Sequence, residues 1–242
     1  KGKSEVGEML GQVIQRLVGS LAERDRVERV PAAGPGKMKG FATHLFINQQ
    51  ARLILRRDGW EREARLLDGF AAALDEGTVW ADRWLKNNCH YYDPTCGAGL
   101  WLCDNAANKC QQFFFRALAL WRGRQQHRAM RFLGAAVHLV QDLCVPHHAT
   151  RQVFHGHAEY EKWVEQNYHS YAVEDKGTYH PARRPAVWVV SNATVSWAFY
   201  HLVCTFSPAS YHAATSVLLP LAQRSTAGFL HSFCQYIWKE VF

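Results

Sequence analysis

Along the first thirty residues Val6, Met9, Leu10, Val13, Ile14, Leu17, Val18 and Leu21 recur at steps of three and four with polar residues between them. That spacing is the mark of an amphipathic helix, predicted here over 4–28. The stretch VPAAGPGKMKG (30–40) cannot extend it, because proline and glycine interrupt helical backbone, and it reads as a linker. Residues 1–30 are therefore a separable amphipathic arm or propeptide remnant, joined by 31–40 to a main domain at 41–242. In that domain helical spacing returns at about 41–57, 60–76, 108–124, 126–145, 157–170, 190–206 and 211–241. No alternating run of useful length competes for a strand. The segments 86–107 and 171–188 carry the Asn, Gly and Pro of loops. No internal repeat appears at periods of about 20–50 residues. The pattern predicts an all-α fold, a single multi-helix bundle with two long surface excursions.

Composition narrows the class without choosing a function. A chain of 242 residues that is 48% hydrophobic and 20% charged can bury a core large enough to hold a polar site. Its 9 Trp, 9 Tyr and 13 Phe suit ring-packed helix interfaces and argue against a disordered or coiled-coil chain. A net charge of +7 favours anionic partners: phosphate esters, anionic lipid surfaces or nucleic acid. Basic pairs such as Arg56-Arg57 and Arg183-Arg184 are scattered, with no long run, as on a solvated surface. No apolar run of about 18 residues is present to span a bilayer. Residues 1–30 hold no continuous apolar segment of signal-peptide type, and the chain begins at Lys1 rather than Met, so export stays open. Cys89, Cys96, Cys103 and Cys110 recur every seven residues through a loop-like stretch, where one or two disulfides are expected in an oxidising compartment. The short C-x-x-C pairs of a zinc ribbon are missing. Cys144, Cys204 and Cys234 lie in apolar helical patterns and are expected in the core.

Candidate chemistry concentrates in GAAVHLVQDLCVPHHA (134–149). His138 and Asp142 are i and i+4, so a helix projects both from one face about 6 Å apart, close enough to grip one cation. Pro146 then bends or ends the helix and turns His147 or His148 toward the same face. A lone helical histidine is more often an ordinary core residue, but several ligand-type side chains within one apolar helix weigh against that. In HGHAEYEKW the spacing recurs twice, as His157 with Glu161 and as His155 with Glu159, and spacing alone does not choose between them. Upstream, His44 lies in an apolar helical run, Asp82 follows Val-Trp-Ala and His90 stands in the loop CHYYDP. Each by itself would pass for a core histidine, a cap and a loop residue.

Taken in order, these residues resemble the zinc-dependent phospholipase C family of bacterial lecithinases and alpha-toxins, the phospholipase C/P1 nuclease fold. Its G-x-x-x-H motif appears as Gly40 to His44, its A-D as Ala81-Asp82 and its H-x-[YW]-D-P as His90 to Pro94. The motif F-Y-L-G-x-x-x-H-x-x-x-D-x-x-x-P-x-H appears from Arg131-Phe132-Leu133-Gly134 through His138, Asp142, Pro146 and His148. G-H-x-x-x-E appears as Gly156, His157 and Glu161, and T-A-G-[YF] as Thr226 to Phe229. These registers select His148 over His147 and His157 with Glu161 over His155 with Glu159. The resemblance implies zinc as cofactor. Asp82, His90, His138 and Asp142 would surround one ion, and His148, His157 and Glu161 a second. Asp142 would bridge to a third ion shared with His44. The family completes that third site with an N-terminal tryptophan, and the equivalent position here is Pro31. Two ions are therefore expected, the third being incomplete unless processing frees a new N-terminus near the linker.

The implied activity is hydrolysis of phosphodiesters, above all phospholipids, to diacylglycerol and a phosphorylated headgroup. Asp82 would orient or deprotonate the attacking water. A secreted or extracytoplasmic monomer with possible contact to a membrane surface goes with it. Headgroup preference does not transfer, because Arg83 and Asn87 stand where the family carries choline-contacting side chains. No counterpart of the toxins' C-terminal lipid-binding β-domain is expected, since the T-A-G helix lies near residue 242. Two other readings stay open. One is a single-strand nuclease of the S1/P1 type, which shares the fold and to which nucleic acid would be the partner. The other is a non-catalytic helical module whose metals only hold the fold together.

Overall fold

The computed structural model describes residues 41–82, 88–101, 104–179 and 184–238. The arm at 1–30, the linker at 31–40, and Arg83 and Asn87 lie outside the described residues. Ten α-helices and no strand occur among those described. They are α1 (Ala42–Arg57), α2 (Glu61–Gly69), α3 (Ala71–Ala81), α4 (Ala106–Arg122), α5 (Gln126–Asp142), α6 (Pro146–Thr150), α7 (His157–Asn167), α8 (Ala186–Trp197), α9 (Tyr200–Val203) and α10 (Pro208–Trp238). The expected all-α bundle is what the chain forms.

Several boundaries differ from the periodicity. The helix expected at 60–76 is two, α2 and α3, parted at Phe70, whose backbone leaves helical geometry and whose ring packs edge-on against Trp121 and His127. The segment expected at 126–145 ends at Asp142, and Pro146, at the first position of α6, starts a new turn because it needs no N–H partner there. The segment at 190–206 starts at Ala186 and breaks between α8 and α9. α10 runs through Pro220, which gives up one backbone donor inside an otherwise continuous helix.

Of the cysteines expected to form disulfides, Cys96 is a free thiol and Cys103 lies outside the described residues. Cys110 is also free and sits buried in α4 rather than in a loop, its thiol directed at the Ala136 carbonyl at 3.6 Å. Asn105 caps α4, its side chain accepting from the Asn108 N–H, and so ends the loop earlier than the cysteine spacing suggests. Cys144 and Cys234 are core residues as expected, whereas Cys204 is only partly buried at the end of α9.

The main core lies where α3, α4, α5 and α10 meet, around Phe114, Met130, Leu133, Leu139, Phe229 and Phe233. α3 and α5 cross at backbone contact. A Cβ on Gly77 would fall 1.9 Å from the Arg131 carbonyl oxygen, and one on Gly134 would fall 2.0 Å from that of Leu74. This reciprocal pair seats α5, the carrier of His138 and Asp142, deep in the molecule.

Candidate metal centre

α5 is buried throughout its second half, so His138 and Asp142 reach the interior from one face, one turn apart. α6 follows after the bend and contributes His148, while α7 contributes His157 and Glu161 from its first turns. His44 comes from α1, Asp82 is the C-cap residue of α3 and His90 follows in the loop. All eight candidate side chains come together. They form three groups, the first two sharing His138, and within each group the potential ligand atoms lie within 4.8 Å of one another: His44, His138 and Asp142; Asp82, His90 and His138; His148, His157 and Glu161.

Asp142 is the hub. His90 Nδ1 lies 2.7 Å and His138 Nε2 3.1 Å from its Oδ2, and His44 Nε2 lies 3.5 Å from its Oδ1. Asp82 is more open, its side chain 36% exposed and 4.0 Å from His90 Nδ1. In the last group His157 Nε2 is 2.9 Å and His148 Nε2 3.6 Å from Glu161 Oε1.

The hydrogen bonds around the site determine which nitrogens are free to bind a cation. Asp75 can only accept, so Asn48 turns its NH2 toward it at 2.8 Å and offers its carbonyl to Gln141. Gln141 Nε2 donates to that carbonyl, which leaves Gln141 Oε1 to accept from His44 Nδ1 at 2.8 Å. The His44 proton is thus held on Nδ1, and the bare Nε2 faces a carboxylate. His148 is placed alike: Nδ1 donates to the His90 carbonyl at 3.1 Å, and its Nε2 faces Glu161. A lone pair against a carboxylate leaves two acceptors with no hydrogen between them, a geometry that a shared cation satisfies. His138 Nδ1 is buried without a hydrogen-bond partner, so its ring is held by the atoms around Nε2 alone.

Electrostatics agree with a cation site. Burial, then the neighbouring His138, holds the His44 pKa down, and burial does the same for His138, so both are neutral imidazoles with lone pairs. Burial would raise Asp142, but the imidazoles of His138, His148 and His90 packed around it hold it well below the usual carboxylate range. Desolvation would likewise lower His157, yet the hydrogen bond and charge of Glu161 outweigh it and raise it. Asp82 is raised, first by burial and then by the charge on Asp142. Imidazole nitrogens with carboxylate oxygens are the donor set that zinc takes, and the residues present fit it.

Two contributors, Gln141 and Asn48, were not among the sequence candidates, and His147, passed over as a ligand, has a supporting place. Gln141 and Asn48 orient His44, and the imidazole of His147 stacks on His157 with centroids 4.8 Å apart while its Nε2 donates to the His155 carbonyl. Asn48 had a readable signal, being i+4 from His44 on the same helix face. His155 and Glu159 take no part in any of the three groups.

Comparisons with known proteins agree with this geometry. The family model for zinc dependent phospholipase C matches residues 43–202. A phospholipase C of Paraclostridium bifermentans is 25% identical over 169 residues, a match covering 60% of this chain and 42% of that protein. The match thus spans less than half the length of that relative. The alpha toxin of Clostridium absonum superposes with a TM-score of 0.75 at 20% identity, covering 86% of this chain and 66% of the toxin. An avian-strain Clostridium perfringens alpha-toxin superposes at 0.74 with 20% identity, covering 85% and 66%. At that identity the likeness is one of fold.

Proposed function

The chain belongs to the zinc-dependent phospholipase C family, and from that premise we propose that it hydrolyses phospholipids to diacylglycerol and a phosphorylated headgroup. One observation carries the reading: His44 and His148 each engage Nδ1 in a hydrogen bond on the far side of the ring and aim Nε2 at Asp142 and Glu161. Two zinc ions are proposed. His148, His157 and Glu161 would hold one, and Asp82, His90, His138 and Asp142 the other. The group containing His44 shares His138 with its neighbour, which supports two ions rather than three.

Zinc held there would supply Lewis acidity, polarising a phosphoryl oxygen and making water acidic enough to attack near neutral pH. The remaining work falls to the side chains. Asp82 lines the cavity beside the cluster and is its most open carboxylate on that side, placed to take a proton from the attacking water. The water oxygen joins phosphorus, the P–O bond to the glyceride breaks, and the glyceride oxygen leaves with a proton as the free alcohol. Lys162, an exposed cation in the cavity lining, draws in the anionic diester. An extracytoplasmic site of action goes with this reading. Among the described residues no helix is long and apolar enough to cross a membrane.

The test is a zinc-loaded sample assayed in parallel on a short-chain phosphatidylcholine and on single-stranded DNA. Lipid hydrolysis is the expected result. Preference for DNA would move the protein to the nuclease reading, and inertness toward both would leave the metals a structural role. In Asp82→Asn, turnover is expected to fall by about a hundredfold or more with most of the zinc retained; unchanged turnover refutes the role given to Asp82.

A further inference from the structure

Tyr91 fills the position that the motif running from His90 to Pro94 leaves open. The backbone around it is pinned. The Tyr92 N–H donates to the His148 carbonyl at 3.1 Å, and the Ala106 N–H to the Tyr91 carbonyl at 3.0 Å. The His90 carbonyl accepts from His148 Nδ1 at 3.1 Å. Residues 90–92 are thereby clamped between α6 and the start of α4, and the two tyrosine side chains part. Tyr92 packs on the main core, while Tyr91 lines the cavity of about 390 Å3 beside the ligand cluster. The Tyr91 ring lies against the His148 imidazole, centroids 4.8 Å apart, and the residue is 5% exposed.

A buried phenol ordinarily finds a hydrogen-bond partner. Tyr160 has Thr215, and Tyr179 has Asp58. The Tyr91 hydroxyl has none among the described residues. Burial, and after it the charges of Asp142, Glu161 and Asp82, raise its pKa. Those three carboxylates belong one to each of the three ligand groups, so the hydroxyl stands where the groups meet. An O–H donor held there without a partner has to find its acceptor in whatever occupies the cavity.

We propose that the Tyr91 hydroxyl donates a hydrogen bond to a non-bridging oxygen of the substrate's phosphoryl group, which makes Tyr91 a further catalytic residue. The proton stays on the phenol throughout. Its contribution is a fixed dipole, aimed at oxygens whose charge rearranges as water joins phosphorus. This rests on the phosphodiesterase reading and adds a donor to a site whose metal ligands offer acceptor atoms.

The test compares the zinc-loaded full chain with Tyr91→Phe, which keeps the ring on His148, and with Tyr92→Phe, whose hydroxyl is outside the cavity lining. Zinc content and melting temperature should match the parent in both variants. Calorimetric titration with methylphosphonate should show about tenfold weaker binding in Tyr91→Phe and no change in Tyr92→Phe. On dihexanoyl phosphatidylcholine and on p-nitrophenyl phosphorylcholine alike, kcat should fall by about a hundredfold in Tyr91→Phe. Either a parental kcat or a parental methylphosphonate affinity in that variant overturns the proposal and leaves the phosphodiesterase reading standing. A loss confined to phosphatidylcholine, which has the poorer leaving group, also overturns it, moving the hydrogen bond to the leaving oxygen. Loss of zinc in Tyr91→Phe overturns it by making the phenol a metal ligand. Weaker methylphosphonate binding in Tyr91→Phe, from a parent that hydrolyses no diester, would uphold the contact with phosphate while removing the catalytic reading.

Discussion

Gln141 is nearly fully buried between His44 and Asn48, and both of its amide groups are engaged. Gln141→Leu would strand the His44 N–H and the Asn48 carbonyl, at a cost of about 2 kcal/mol. Losing the group that holds the His44 tautomer should weaken zinc binding by roughly 10- to 100-fold. Gln141→Glu keeps the acceptor for His44 but sets a carboxylate against the Asn48 carbonyl, so it should lose stability while retaining zinc better than the leucine variant. Chemical denaturation and zinc titration together check both. Far from the cluster, Asp58 receives the backbone N–H groups of Lys176 and Gly177 and the Tyr179 hydroxyl at 2.9, 2.7 and 2.7 Å, tying loop 172–179 to the end of α1. Burial would raise its pKa, but these three donors and Arg224 pull it below the ordinary value. A depressed folded pKa stabilises above the unfolded value of about 3.9, and that stability is lost as the pH falls through the folded one. Asp58→Asn should therefore destabilise by about 2 kcal/mol at neutral pH, and the gap to the parent should close steadily below about pH 4, as read from urea midpoints.

Among the helices, the crossing of α3 and α5 governs the site. Neither Gly77 nor Gly134 has room for a methyl group, because the obstructing atoms are backbone carbonyls that cannot swing aside. Gly134→Ala should cost about 3 kcal/mol or more, and should lower zinc content as well, because α5 must move with His138 and Asp142 on it. Gly69, at the end of α2 with nothing within 4 Å of an added Cβ, is the control: Gly69→Ala should leave both readouts near the parent's. Differential scanning fluorimetry with metal analysis separates the two. Gly228 of the T-A-G-F motif has a similar reason, since its Cβ would fall 1.7 Å from the Thr178 carbonyl oxygen. That motif marks where loop 172–179 lies on α10 rather than a place where chemistry happens.

For the molecule as a whole, the cluster draws side chains from α1, α3, α5, α6, α7 and the loop holding His90, so a cation bound there links segments far apart in the chain. Free zinc at about a hundred times its dissociation constant adds about 2.7 kcal/mol to stability. Chelation should then lower the melting temperature by roughly 5–10 °C, and zinc rather than magnesium should restore it. No shift on chelation would mean that the cluster does not bind zinc in the folded protein. The helical class, the ligand pairs at i and i+4 and the end of α5 before Pro146 were legible in the sequence, because each is decided by residues within a few positions of one another. The break at Phe70 was not, since rings of α4 and α5 hold it there. Nor was the burial of Cys110, whose thiol packs against the Ala136 carbonyl of α5. The order of polar and apolar residues thus determines by itself which elements form and which side chains share a helix face. Only the tertiary structure decided that eight such side chains meet, that Asp75 through Asn48 and Gln141 directs the proton on His44, and that Tyr91 lines the cavity beside them. Those are relations between distant segments, and they come into being only when the helices pack.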